Sequence, residues 1–223
     1  MRSIEADAVR TYECLRAGGL ALVPTDVGYG LVAMEACAVE RIYDLKDRPL
    51  AKPCVTVANA RILDDVVLPI AHEVRAWIDQ VTRVTPLAIV AAIDPASRLL
   101  ASMTPYVQTQ ATQRGTIATF HNAGPVVQAV AELARADGRL VVGSSANTSG
   151  TGNNASLADV PDAMRRGVDL VVDRGPVWYG TESRLATTIL DLATGTFQRR
   201  GINYELIARS WAAREEQQLA LAS

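Results

Sequence analysis

Short apolar segments that run into polar turns alternate with amphipathic stretches along most of this chain. Leu20-Ala21-Leu22-Val23 reads as a buried strand ended by Pro24, and Leu140-Val141-Val142 as a strand running straight into Gly143-Ser144-Ser145. Val55-Thr56-Val57, residues 87–93, Leu170-Val171-Val172 and residues 188–192 read as further strands. Helical spacing occupies 4–17, through Ala8, Tyr12 and Leu15, until Gly18-Gly19 stops it. It returns at 36–46 through Val39, Ile42 and Tyr43, around 71–80, and at 125–136 through Val126, Val127, Val130 and Leu133. A short helix is expected near 157–166 and another from Tyr204 to about 219, whereas 97–115, rich in Thr and Gln, reads as loop. Strands and helices mixed in this way must pack as layers, so the fold expected is α/β (mixed α+β) in one compact domain.

At 223 residues, 49% hydrophobic and 21% charged, the chain can bury a full core. Its net charge of -2 gives no broad basic field, so direct RNA binding is expected to be weak or absent. Cys14, Cys37 and Cys54 lack metal spacing and read as reduced thiols of a cytoplasmic protein. The first ten residues carry acids and do not resemble a signal peptide. No stretch approaches the roughly 20 apolar residues of a spanning helix, so no membrane partner is expected. The two histidines, His72 and His121, form no metal-site spacing, and the expected metal-ligand set is none.

Chemistry concentrates in the turns. Pro24-Thr25-Asp26-Val27-Gly28-Tyr29-Gly30-Leu31 is a glycine-bearing turn after an apolar strand, a place where ligands collect. Lys46, Arg48 and Lys52 put three cations within seven residues, stiffened by Pro49 and Pro53. A helix C-terminus accounts for Lys46 but less well for the other two. Lys point charges and Arg forks held at low entropic cost suit a polyphosphate. Ser144-Ser145-Ala146-Asn147-Thr148-Ser149-Gly150 offers many donors with little bulk, in the manner of an anion nest. Thr187-Thr188 and Arg199-Arg200-Gly201 follow near the C-terminus.

The order and spacing of these pieces resemble the YrdC-like family of threonylcarbamoyl-AMP synthases. The resemblance rests on residues 24–31, on Lys46-Asp47-Arg48 with Lys52-Pro53, on Ser145-Ala146-Asn147-Thr148-Ser149-Gly150, on Asp173-Arg174-Gly175 and on Arg199-Arg200-Gly201, and it covers about 5–207. It implies a YrdC-like domain over 1–207 with a helical tail over 208–223. The implied architecture is a twisted mixed sheet flanked by helices, with a large concave basic cleft. It also implies a nucleotidyltransferase reaction in which ATP, bicarbonate and L-threonine give threonylcarbamoyl-AMP and pyrophosphate. A separate transferase then modifies a tRNA adenosine. Under it, Lys46 and Arg48 are the catalytic cations, and with Lys52 and Arg199 they hold the triphosphate of ATP. Ser145 and Asn147 line the nucleotide pocket, and Thr25, Tyr29 and Thr187 meet the amino acid. Mg2+ arrives with ATP.

Of the departures from the family pattern, the missing histidine and arginine and the altered serine lie on what the resemblance implies is the amino-acid side, and a proline-glycine-proline-x-threonine segment is reduced to Thr85-Pro86-Leu87-Ala88. Val27 stands for a threonine, Val57 for a histidine, Thr119-Phe120-His121 for an arginine-x-proline strand, and Thr187-Thr188-Ile189 for serine-threonine-valine. Losing that arginine is expected to weaken threonine binding unless His121 or Arg114 substitutes. Two alternatives therefore stand beside the synthase: a diverged paralogue using another amine or amino acid in specialised metabolism, and a non-catalytic nucleotide- or RNA-binding module.

Overall fold

The computed structural model describes residues 3–180 and 183–222. Residues 1, 2, 181, 182 and 223, which fall within the expected spans 1–207 and 208–223, lie outside the described residues. The chain opens with α1 (Ile4–Arg16), the hairpin β1 (Ala21–Thr25) and β2 (Gly28–Ala33), α2 (Ala36–Lys46) and β3 (Val55–Val57). Next come α3 (Ala60–Val66), α4 (His72–Thr82), β4 (Leu87–Ala92), α5 (Arg98–Ala101), α6 (Pro105–Ala111), β5 (Thr112–Gln113) and β6 (Thr116–His121). The last part holds α7 (Pro125–Ala136), β7 (Val142–Ser145), α8 (Asp162–Arg166), β8 (Leu170–Val171), β9 (Ile189–Asp191), β10 (Thr196–Arg199) and α9 (Tyr204–Ala222).

All ten strands join one mixed sheet in the order β10-β9-β4-β6-β3-β7-β2-β1-β8, with β5 paired to β6 off this path. The ladders β1–β8, β3–β6 and β4–β9 are parallel and the rest antiparallel. Paired residues share a face. Ala21, Val32, Gly143 and Val55 therefore form one row, and Val57, Phe120, Ala88 and Ile189 continue the same face. Thr56, Thr119, Ile89 and Leu190 point the other way.

On the first face, α1 and α7 cover β1, and α7 reaches β3. Ser3 caps α1 by accepting from Ala6 N, and Ala8, Tyr12 and Leu15 form its buried stripe. Beyond α7 this face is left open over β6, β4 and β9. On the second face, Ala38, Val39 and Ile42 of α2, Val107 of α6 and Met164 of α8 bury Leu22, Leu31 and Ala33. α9 docks on α4 through Ile207 and Trp211, whose ring meets Trp77 edge-on at 4.7 Å. It runs unbroken from Tyr204 to Ala222.

Several local expectations are corrected. Residues 97–115 are not loop: Ser97 and Thr104 accept from Leu100 N and Val107 N, capping α5 and α6. Pro24 does not end β1. Leu22 faces β8 and accepts from Val172 N there, and Pro24, two residues on, faces the same way beyond the last β8 pairing. Its missing N–H therefore breaks no ladder. β7 lies two residues later than expected, α3 was not anticipated, and Pro161 separates a 3-10 turn at Leu157–Asp159 from α8.

Candidate active site

The open part of the sheet forms a cleft of two joined cavities, of about 500 Å3 and about 130 Å3. Arg48, Val55, Ser145, Asn153, Ala186 and Arg199 line both and mark where they meet. Among the described residues, none that lines either cavity is acidic.

The outer cavity takes its charge from the end of α2. Asp47 caps that helix in the left-handed region (φ 47°), which a short polar side chain tolerates, and Arg48 N donates back to Tyr43 O at 3.0 Å. This turns the chain so that Lys46 is 1% exposed while Arg48 and Lys52 face the cleft. The Lys46 ammonium donates to Ser145 O, to Asn147 O at 2.7 Å and to Asn147 Oδ1 at 3.1 Å, one acceptor for each of its protons. Ser149 N returns a bond to Lys46 O at 3.3 Å. Burial, followed by the charge of Arg48, pushes the Lys46 pKa down to about 8, so the group stays cationic at neutral pH.

Arg48 is pinned by Nε to Lys52 O at 3.1 Å and Nη2 to Pro53 O at 2.8 Å, with the Tyr43 ring 6.0 Å away. Its remaining donors are available to a ligand. Across the mouth, Arg199 Nε donates to Thr187 O at 2.7 Å. Burial and then the neighbouring Arg48 charge push the Arg199 pKa down. The Arg199 side chain still reaches solvent from the cleft wall. Among the described residues no carboxylate lies within 4.0 Å of Lys46, Arg48, Lys52 or Arg199. Gly201 holds this side in place. A Cβ there would strike Ala186 O and come within 2.6 Å of Thr187 C, so only glycine lets the chain after β10 pass this close to residues 186–188 and form the Thr187–Ile202 bridge.

The turn after β7 closes the outer cavity. Ser145 Oγ donates to Asn147 Oδ1, and Asn147 Nδ2 to Thr148 O at 2.9 Å. Asn153, which the sequence reading missed, lines both cavities and donates from Nδ2 to Val27 O at 2.9 Å. Gly28 (φ 153°) makes room for it, since a Cβ there would lie 2.9 Å from Asn153 Cβ. The Thr151-Gly152-Asn153-Asn154 run, another polar turn, was the available signal.

Thr25 and Thr187 line the inner cavity, although Thr25 Oγ1 already donates to Gly28 O at 2.5 Å. Tyr29 projects its ring into the core under α2. Its hydroxyl donates to Asp173 Oδ1 at 2.7 Å and Gly175 O at 3.0 Å, and burial pushes its pKa up. The Asp173-Arg174-Gly175 motif thus anchors β2 from behind. Neither suggested replacement cation reaches the cleft. His121 pairs with Leu87 on the opposite face, its Nε2 2.9 Å from Thr119 Oγ1, and Arg114 sits in the β5–β6 turn outside both linings.

The chain is thus an α/β protein whose sheet-backed cleft gathers cations and, among the described residues, no acid, beside an apolar chamber. Residues 13–201 match the model of the Sua5/YciO/YrdC family, described as Telomere recombination, and the chain belongs to this family. It is 27% identical over 183 residues to the Threonylcarbamoyl-AMP synthase of Rattus norvegicus, covering 80% of this chain and 60% of the rat protein. The chain thus spans about three fifths of that relative's length. Its fold superposes on the hypothetical protein smu.1377c from Streptococcus mutans with a TM-score of 0.78 at 19% identity, covering 92% of this chain and 90% of the other. P. abyssi Sua5 complexed with L-threonine superposes with a TM-score of 0.70 at 24% identity, over 90% of this chain and 56% of that one. These likenesses establish the fold. No helix among the described residues is long and apolar enough to cross a membrane.

Proposed function

We propose that this chain is an ATP-dependent carbamoyl-adenylate synthase of the threonylcarbamoyl-AMP synthase type. The observation that carries this reading is the pair Arg48 and Arg199, fixed through backbone oxygens on opposite sides of a cleft with no acid among the described residues that line it. Two guanidinium groups that repel one another gain most from a polyanion between them.

Arg48, Arg199 and Lys52 hold the triphosphate, with Ser145 and Asn147 against the nucleotide. Lys46 acts through the 145–147 turn that it fixes. Amine and bicarbonate condense to a carbamate and water. A carbamate oxygen then bonds to the α-phosphorus as the bond to the β-bridging oxygen breaks, and pyrophosphate leaves. The fixed cations stabilise the charge that builds on the departing pyrophosphate, so positioning and electrostatics suffice without a protein nucleophile. With no carboxylate among the described residues of either lining, Mg2+ would arrive with ATP on its phosphates.

L-threonine is the amine to which family membership first points, and a tRNA-modifying threonylcarbamoyl transferase would be the receiving partner. Pyrophosphate release from ATP and bicarbonate, measured across a panel of amines and amino acids, tests the reading. Release that depends on both bicarbonate and an amine is expected; its absence with every amine tried would end the proposal.

A further inference from the structure

Behind the guanidinium pair, the 130 Å3 cavity is walled by Val27, Val32, Val57, Phe120 and Val127. They come from four places in the chain: the β1–β2 turn, β2, the adjacent pair Val57 and Phe120 of the β3–β6 ladder, and the first turn of α7. Among the described residues, Arg48 and Arg199, shared with the outer cavity, are the only charged ones in its lining. Of the polar side chains nearby, Thr25 Oγ1 is engaged with Gly28 O and Asn153 Nδ2 with Val27 O, while Ser144 and Thr187 offer only neutral hydroxyls.

A carboxylate in this chamber would lose its hydration and gain no ionic partner, a cost of several kcal/mol. With a triphosphate across Arg48 and Arg199, neither guanidinium is left to compensate it. A hydrocarbon group gains there instead. An apolar cavity of about 150 Å3 holds benzene, so this one suits a substituent of about five carbons.

We propose that the inner chamber receives the aliphatic substituent of a small primary amine that bears no carboxylate, its nitrogen held at the mouth. This rests on the carbamoyl-adenylate reading and narrows its amine. The nitrogen and bicarbonate give an N-alkylcarbamate and water. The carbamate oxygen bonds to the α-phosphorus of ATP, the bond from that phosphorus to the bridging oxygen breaks, and the electron pair leaves with pyrophosphate.

The test is a matched pair, isopentylamine and L-leucine, which share one hydrocarbon group and differ by the carboxylate, with L-threonine as a third substrate. Isopentylamine is expected to support pyrophosphate release with kcat/KM at least about tenfold above either amino acid. Release that prefers leucine or threonine overturns the inference while leaving carbamoyl-adenylate synthesis intact. No release with any of the three, nor with a wider amine panel, overturns both. Val57→Phe fills the chamber and is expected to raise KM for isopentylamine about tenfold with the Kd for ATP unchanged; an unchanged KM argues against the chamber. Phe120→Arg supplies the missing cation and is expected to shift preference towards leucine. Should that variant fail to fold, the Val57→Phe result decides.

Discussion

The ammonium of Lys46 lies 2.7 Å from the main-chain oxygen of Asn147, a residue 101 positions further along the chain. One buried side chain therefore sets the distance between the cation loop and the Ser145–Asn147 turn. Removing it leaves Ser145 O and Asn147 O without their donor.

Lys46→Ala is accordingly expected to lower unfolding stability by roughly 1–3 kcal/mol, the cost of orphaned buried acceptors. Pyrophosphate release should be abolished even at temperatures where the variant is folded. Urea denaturation and the release assay measure the two effects separately. A folded variant with a near-normal rate would remove this turn from the site.

Arg48→Ala and Arg199→Ala are each expected to weaken ATP binding by about ten- to hundredfold, the loss of a charge-assisted hydrogen bond worth roughly 1.5–3 kcal/mol. The affinity of the unaltered protein should fall as salt screens the partly exposed pair. Titration calorimetry across ionic strength checks both. Wild-type affinity in either variant would contradict the assignment.

His121 carries a pH prediction that is separate from catalysis. It is buried against Thr119, and burial, then the nearby Arg75 charge, push its pKa down from 6.5 to about 3. Between those values the unfolded chain binds the proton and the folded chain does not. The stability associated with neutral His121 is therefore full above pH 6.5 and is lost as pH falls towards 3. His121→Asn should flatten the dependence of the urea midpoint over this window. Pyrophosphate release at neutral pH should persist, because the ring faces away from the cleft.

Gly201→Ala tests the support beneath Arg199. The added methyl meets Ala186 O and Thr187 C, and relieving it must displace β10. A stability loss of roughly 1–3 kcal/mol is expected, together with weaker ATP binding through the shifted guanidinium. Thermal unfolding with and without ATP reads both effects; an unperturbed midpoint would mean the strand has slack.

The cationic half of the site was legible because its residues cluster in sequence: Lys46, Arg48 and Lys52 share one stiffened loop, and the Ser145–Asn147 turn follows an unmistakable apolar strand. Helix α2 and the stripe on α7 were equally plain, being long enough for periodicity to register. Helices α5 and α6 were missed because four and seven residues scarcely complete a period. Their caps, Ser97 and Thr104, are residues that also make turns. The inner chamber was only half readable. Val27, Val57 and Phe120 were each marked as departures, yet only the parallel register of β3 with β6 brings the last two side by side. Tyr29 lines the inner cavity, yet strand alternation packs its ring among the core residues of the other face. Which way a residue beside a turn points depends on pairing that spacing alone does not fix.

Because Arg199 stands at the end of β10 and its partner cations at the end of α2, the phosphate grip closes only when the last strand has been laid against the sheet. On the proposed reading, a ribosome still threading residues before 199 holds a chain that cannot retain nucleotide. ATP, if it binds only the folded form, would then stabilise chains that have passed this point and give no help to shorter ones.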